Sequence, residues 1–197
     1  AKTHDLPMVT IADLVNFRLL RETLVEPLVK TRIQTRHGEF DASMFRSAVD
    51  QTLHLAVHKG TDFANNIVDV RVHTQRPLVD AFGGRPGSGR TRLDYGLEML
   101  NKNPHGVCIY LCRQNPFDMV GDELIELVPE AMKEEIREQI SGLPRSGSID
   151  QRHIGTGAQI LRSLGVQKMR VHATNPAPLR GLSGFDLEIV DQIEMKL

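Results

Sequence analysis

Apolar residues between positions 154 and 164 fall at spacings of four, three and three: Ile154, Ala158, Leu161 and Leu164. Those spacings place all four on one face of a helix. Asp150 stands just before this stripe, where a short carboxylate accepts the free N–H groups of a helix start, and Gly165 follows its last apolar residue as a stop. Lys168 to Ala173 then alternates, with Met169 and Val171 set against Lys168, Arg170 and His172, the period of a half-buried strand. Asn175-Pro176-Ala177-Pro178 reads as a turn, and Leu187 to Ile193 as a closing strand. This tail is a β-α-β unit with Asp-Gln-Arg at its entrance.

Upstream, Thr10 caps a short stripe of Ile11, Leu14, Val15 and Leu19, and Asp13 nearly completes a capping box. Leu28 to Thr35, Asp41 to Arg46 and Thr52 to His58 read as strands, with His37 to Phe40 as the first turn. From Val68 the chain alternates Val68, Val70 and Val72 with Asp69, Arg71 and His73, so a strand carries Arg71 and His73 on one side. Thr91 to Asn101 is helical with Leu93, Leu97 and Leu100 inward, and His105 to Leu111 is a buried strand. Leu124, Leu127, Val128, Met132, Ile136 and Ile140 form a second stripe with an acidic outer face, interrupted at Pro129. The pattern describes an α+β (mixed α/β) chain: a mostly antiparallel N-terminal sheet followed by a β-α-β C-terminal part.

Composition narrows the function classes. The 197 residues are 40% hydrophobic and 25% charged, the balance of an ordinary globular domain. A formal net charge of −1 argues against a general electrostatic binder of nucleic acid. No apolar run approaches the roughly 18 residues a membrane span requires. The chain opens on Ala1-Lys2 without a basic-then-apolar leader, and the expectation is a fragment of a longer cytoplasmic protein. Two cysteines, Cys108 and Cys112, suit a reducing compartment and read as core thiols of an apolar strand. His54 and His58 share a strand face and read as surface histidines. Gly84 to Thr91, Gly-Arg-Pro-Gly-Ser-Gly-Arg-Thr, comes near a phosphate-binding P-loop with Arg90 in place of the lysine. No acidic partner strand accompanies it. What remains is a solvated loop in which Arg85, Arg90 and Arg92 stand beside a helix start that could hold phosphate or sulfate.

Several of these stretches together resemble the GTP cyclohydrolase II family of riboflavin biosynthesis. The resemblance runs from about Val25 onward and is carried best by residues 68–83 and 148–193. It implies a GTP cyclohydrolase II-like domain over 25–197. Residues 1–24 resemble the tail of 3,4-dihydroxy-2-butanone-4-phosphate synthase and would be a linker helix from that fused upstream domain. The family's Arg-Val-His-Ser-Glu nucleotide contact reads here Arg71, Val72, His73, Thr74 and Gln75. Arg113 and Gln114 match the start of its base-contacting segment, whereas Asn115, Pro116 and Phe117 depart from it. Asp150 and Arg152 match its proton acceptor and its nucleophile, as retained and vestigial positions. Arg92 joins the candidate nucleotide or phosphate contacts.

The departures are concentrated on the zinc ligands. The family's three cysteines fall on Arg76, Gly87 and Gly89, and zinc requires deprotonated S, N or O donors. Residues 119–149 contain neither the catalytic tyrosine nor the nucleotide-binding threonine expected there, and Ala173 and Pro178 replace a nucleotide-contacting Thr and Lys. The resemblance therefore implies a degenerate active site with no zinc and GTP ring opening lost or strongly impaired. The domain would act as a structural or regulatory partner of the fused synthase, as a homodimer, without nucleic-acid or membrane partners. A zinc-independent nucleotide hydrolase, or a sensor of GTP or phosphate, is the alternative.

Overall fold

The computed structural model describes residues 9–10, 14, 17–18, 21–83, 89–115, 119–142, 151–176 and 182–196. Seven strands form one mixed sheet: β1 (Val25–Thr35), β2 (Gly38–Ser47), β3 (Leu53–Lys59), β4 (Ile67–Thr74), β5 (Gly106–Leu111), β6 (Lys168–Ala173) and β7 (Glu188–Glu194), in the order β1-β2-β3-β5-β4-β6-β7. The first three strands and β5 pair antiparallel, and β5, β4, β6 and β7 pair parallel. The expected antiparallel and β-α-β parts are both present and are joined edge to edge at β3–β5. A strand such as β5, with Val107, Cys108 and Ile109 all buried, has two apolar faces and therefore takes an interior place.

The helices are α1 (Pro77–Phe82), α2 (Gly89–Lys102), α3 (Val120–Leu127), α4 (Lys133–Gln139) and α5 (Gln151–Ser163). The connection β4-α1-α2-β5 moves one strand toward β3, and β5-α3-α4-α5-β6 returns across β4 to its other side. Two crossovers of the same hand running in opposite directions put their helices on opposite faces. Side chains agree: the Cα of Gly96 in α2 sits over Arg71 and Cys108, and Gly157 in α5 sits over Val72 and Leu111. Arg71 and Val72 are consecutive in β4 and so face opposite sides.

The two faces differ in chemistry. Under α5 lies the larger core of Val68, Val70, Ile109, Leu111, Ile160, Leu161 and Met169. Under α2 lies a smaller one of Phe40, Val57, Met99, Leu100 and Cys108. Beside this smaller core Asp69, Arg71 and His73 line β4, and Arg170 and His172 follow on β6. The acidic stretch after β5 breaks at Pro129, as the sequence suggests, into α3, a 3₁₀ turn at Glu130–Met132 and α4. Six residues are too few to display a helical period, which is why α1 left no trace in the hydrophobic pattern.

The surface placement expected for His54 is corrected: it is 5% exposed, on the same face of β3 as the fully buried Ala56. Burial holds its pKa below the ordinary histidine value, opposed by Asp50 and aided by His153. His58 is half-buried, with Nε2 3.1 Å from Ser43 Oγ.

Candidate functional site

In open α/β sheets the ligand crevice lies beyond the carboxyl ends of the parallel strands, where strand order reverses. Here that place is the end of β4, flanked by the ends of β5 and β6 and overlooked by α1 and the first turns of α2. Five sequence-selected residues come together around it: Arg71, His73, Thr74, Gln75 and Arg113.

Most are engaged with the protein itself. His73 is 2% exposed, and its Nε2–H donates to Asp80 Oδ1 at 2.9 Å. Tyr110 donates its hydroxyl to Asp80 Oδ2 at 2.8 Å and stacks on His73 with ring centroids 5.5 Å apart. Burial would raise the Asp80 pKa, but the bonds from His73, the Arg76 N–H and Tyr110 outweigh it and hold the carboxyl below its usual range. The same burial and the same carboxylate push the Tyr110 hydroxyl far above an ordinary tyrosine. Gln75 accepts from the Arg113 backbone N–H at 3.0 Å, so its amide joins the loops after β4 and β5. Burial lowers the Arg113 pKa, partly restored by Glu123. Thr74 is half-buried at the end of β4, and Gln114 is exposed.

Arg76, the residue on which the resemblance places one zinc cysteine, precedes α1. Its guanidinium makes a two-pronged ion pair with Glu126 of α3, at 2.7 and 3.0 Å. One turn earlier on α3, Glu123 is fully buried and accepts from the backbone N–H groups of Leu78 and Val79, at 2.7 and 3.2 Å. Burial raises the Glu123 pKa, against the two backbone bonds and Arg76. The acidic helix that the sequence left unplaced thus packs on α1 and grips its first turn. Among the described residues no three His, Cys, Asp or Glu side chains gather into a metal-binding group. Cys108 is sealed beneath Gly96, its thiol pushed up to about 12 by burial, and Cys112 is half-buried.

Asp150, Arg85, Gly87, Pro116, Phe117 and Pro178 lie outside the described residues. The backbone of Arg152 is in the first turn of α5. Arg90, read as a phosphate contact, donates to the carbonyls of Asp80 and Ala81, both at 3.3 Å. Arg92 is half-buried on the sheet-facing side of α2, near Arg71.

Sequence reasoning passed over a second group, on the α2 face between β4 and β6. Asp69, 2% exposed, accepts from Arg170 Nη2 and from His172 Nε2–H, each at 2.8 Å. Tyr95 of α2 donates its hydroxyl to His172 Nδ1 at 2.9 Å. Arg71 donates from Nη1 to the His172 carbonyl at 3.2 Å. The available signal was the alternation of 68–73 beside that of 168–173, which puts polar residues of both strands on one face.

This is a mixed-sheet α/β domain whose candidate site residues at the end of β4 are largely held by internal hydrogen bonds. The chain belongs to the GTP cyclohydrolase II family, whose model matches residues 26–194. It is 33% identical over 195 residues to the monofunctional riboflavin biosynthesis protein RIBA 3, chloroplastic, of Arabidopsis thaliana, covering 98% of this chain and 38% of that protein. It is 34% identical over 194 residues to the riboflavin biosynthesis protein RibBA of Chlorobium phaeovibrioides, covering 98% of this chain and 46% of the relative. Among solved structures it is similar to RibBX of A. baumannii, a two-domain 3,4-dihydroxy-2-butanone 4-phosphate synthase, with a TM-score of 0.65 and 28% identity. That match covers 100% of this chain and 48% of the other. The chain thus spans about half the length, or less, of the relatives it matches. No helix among the described residues is long and apolar enough to cross a membrane.

Proposed function

We propose that this chain is a GTP cyclohydrolase II-like domain of riboflavin biosynthesis that does not open the GTP ring. Its role is structural or regulatory, in support of a fused 3,4-dihydroxy-2-butanone-4-phosphate synthase domain reached through residues 1–24. The observation that carries this reading is Arg76. Where the family resemblance calls for a thiolate, a guanidinium is locked to Glu126 while Glu123 closes the neighbouring turn. A cation fixed by a carboxylate at that point repels a second cation and offers it no donor. The matching region of a two-domain protein described as a synthase supports the same role. Asp150 and Arg152 are then vestigial, the working form is a cytoplasmic homodimer, and no zinc is bound.

The test combines metal analysis with GTP turnover, with and without added zinc, and synthase assays on the longer protein with and without this domain. Substoichiometric zinc, no ring opening, and reduced synthase activity on removal of the domain are expected. Stoichiometric zinc with zinc-dependent turnover would overturn the reading.

A second reading, phosphate binding, has one observation in its favour. Arg71 and Arg92 lie close enough for Arg92 to lower the Arg71 pKa, after the larger effect of burial. Each has a buried Nε without a hydrogen-bond partner among the described residues, and neither faces a carboxylate in an ion pair there. Two such guanidiniums attract an oxyanion.

A further inference from the structure

Asp69, His172 and Tyr95 come from three different elements, β4, β6 and α2, and line up as carboxylate, imidazole and hydroxyl. The order fixes each proton. A carboxylate paired with Arg170 only accepts, so the His172 proton sits on Nε2 and Nδ1 is left as an acceptor. The Tyr95 O–H then points at Nδ1, 2.9 Å away, and the lone pairs of the phenol oxygen remain unused by that bond. Asp69 and His172 are buried at 2% and 6% exposure, whereas Tyr95 is half-buried. Arg92 precedes Tyr95 by three positions on the same side of α2, and Arg71 lies beneath Gly96, the next residue. A phenol backed by a proton-accepting imidazole therefore stands beside two guanidiniums that have no carboxylate partner among the described residues.

We propose that Tyr95 is a ligand-contacting residue of an oxyanion site completed by Arg71 and Arg92, and that the Asp69–His172 pair orients its hydroxyl until a ligand takes the bond. The ligand class is a phosphate group, either inorganic phosphate or a phosphate monoester. On binding, the Tyr95 hydroxyl turns from His172 Nδ1 to a ligand oxygen, no covalent bond changes, and His172 keeps its Nε2 proton on Asp69. The inference rests on the phosphate reading above and adds to it the residue that couples the ligand to a proton. The groups acting on Tyr95 are Asp69 and Arg71 from β4 and His172 from β6, with Arg92 three positions earlier on its own helix. Burial and the charge of Asp69 raise the Tyr95 pKa, and Arg71 lowers it. An anion between the guanidiniums cancels that lowering.

The chain has two tyrosines and no tryptophan, so tyrosinate absorbance reports on Tyr95 and Tyr110 alone. Tyr110, bonded to Asp80, ionises far later. The experiment measures inorganic phosphate and a pentose 5-phosphate by calorimetry, and the tyrosinate midpoint with and without each, on wild type, Y95F, H172Q and R92Q. In wild type, binding is expected together with an upward shift of the midpoint. By reciprocity, affinity falls as pH rises through that midpoint. R92Q should lose binding at least tenfold. Y95F should remove the titrating signal and weaken binding about tenfold, the effect of about one hydrogen bond to a charged group. H172Q should retain binding and move the midpoint in the absence of ligand. Tighter binding of the ester identifies an ester as the occupant, and equal binding identifies the phosphate group alone. Binding that leaves the midpoint in place and is unaffected in Y95F would overturn the role of Tyr95 while sparing the phosphate reading. No binding of either probe by a folded protein would overturn both.

Discussion

A single carboxylate shows how the end of β4 is tied to its neighbours. Asp80 receives His73, the Arg76 N–H and Tyr110, and its charged form is favoured because these donors outweigh the effect of burial. Its folded pKa lies below the unfolded value of about 3.9. The unfolded chain therefore binds the proton first on acidification, and stability falls with pH. The Asp80 contribution is fully present above the unfolded pKa and disappears as pH falls through the folded one. D80N leaves His73 and Tyr110 with a poorer acceptor, and a loss of about 1–3 kcal/mol at neutral pH is expected. Urea unfolding at a series of pH values checks this: the variant should also show a shallower loss of stability below about pH 4. An unchanged acid slope would mean that other carboxylates carry it.

Elements approach closely where α2 crosses β4 and β5. A Cβ on Gly96 would lie 2.6 Å from Cys108 Sγ and 3.2 Å from Arg71 Cγ. Glycine is needed here for close approach, since Gly96 is not in the left-handed region. G96A should destabilise the chain by about 1–3 kcal/mol, the usual cost of overpacking. C108A removes the sulfur that the new methyl meets, so the double variant G96A/C108A should be less destabilised than the sum of the singles. Denaturant midpoints of the four proteins provide the cycle. Strict additivity would show that α2 shifts as a unit instead.

Across the whole molecule, the N-terminal segment is attached by a residue far away in sequence. Gln159 of α5 accepts from the Leu24 N–H at 2.6 Å and donates to the Glu22 carbonyl at 2.9 Å, where the chain enters β1. Q159A breaks both contacts and leaves the bulk of the core intact. Hydrogen exchange should quicken at residues 22–25 while the central strands β4 and β5 retain their protection, with a global loss of about 1–2 kcal/mol. Uniformly faster exchange would instead make Gln159 part of the cooperative core.

The strands and the principal helices were legible because their periods repeat over six or more residues, as at Val68–His73 and Ile154–Leu164. The switch-point residues Arg71, His73, Thr74 and Gln75 were legible only through the family motif they match. Nothing local marks Asp69, Tyr95 or His172 as a group, since each is an ordinary polar position of its own element. The same holds for α1, too short to show a period, and for His54, whose alternation does not reveal that its face of β3 is covered.

By itself, then, the sequence determined the elements, the mixed class, the family and the absence of thiolates at Arg76, Gly87 and Gly89, because these are matters of residue type and short-range spacing. Only the tertiary structure decided that β3 joins β5, that Glu123 and Glu126 grip the turn at Arg76, and that Asp69, His172 and Tyr95 meet. Those contacts join residues about 45 to 103 positions apart, and they form only when the crossovers bring β4, β5, β6 and α2 into register.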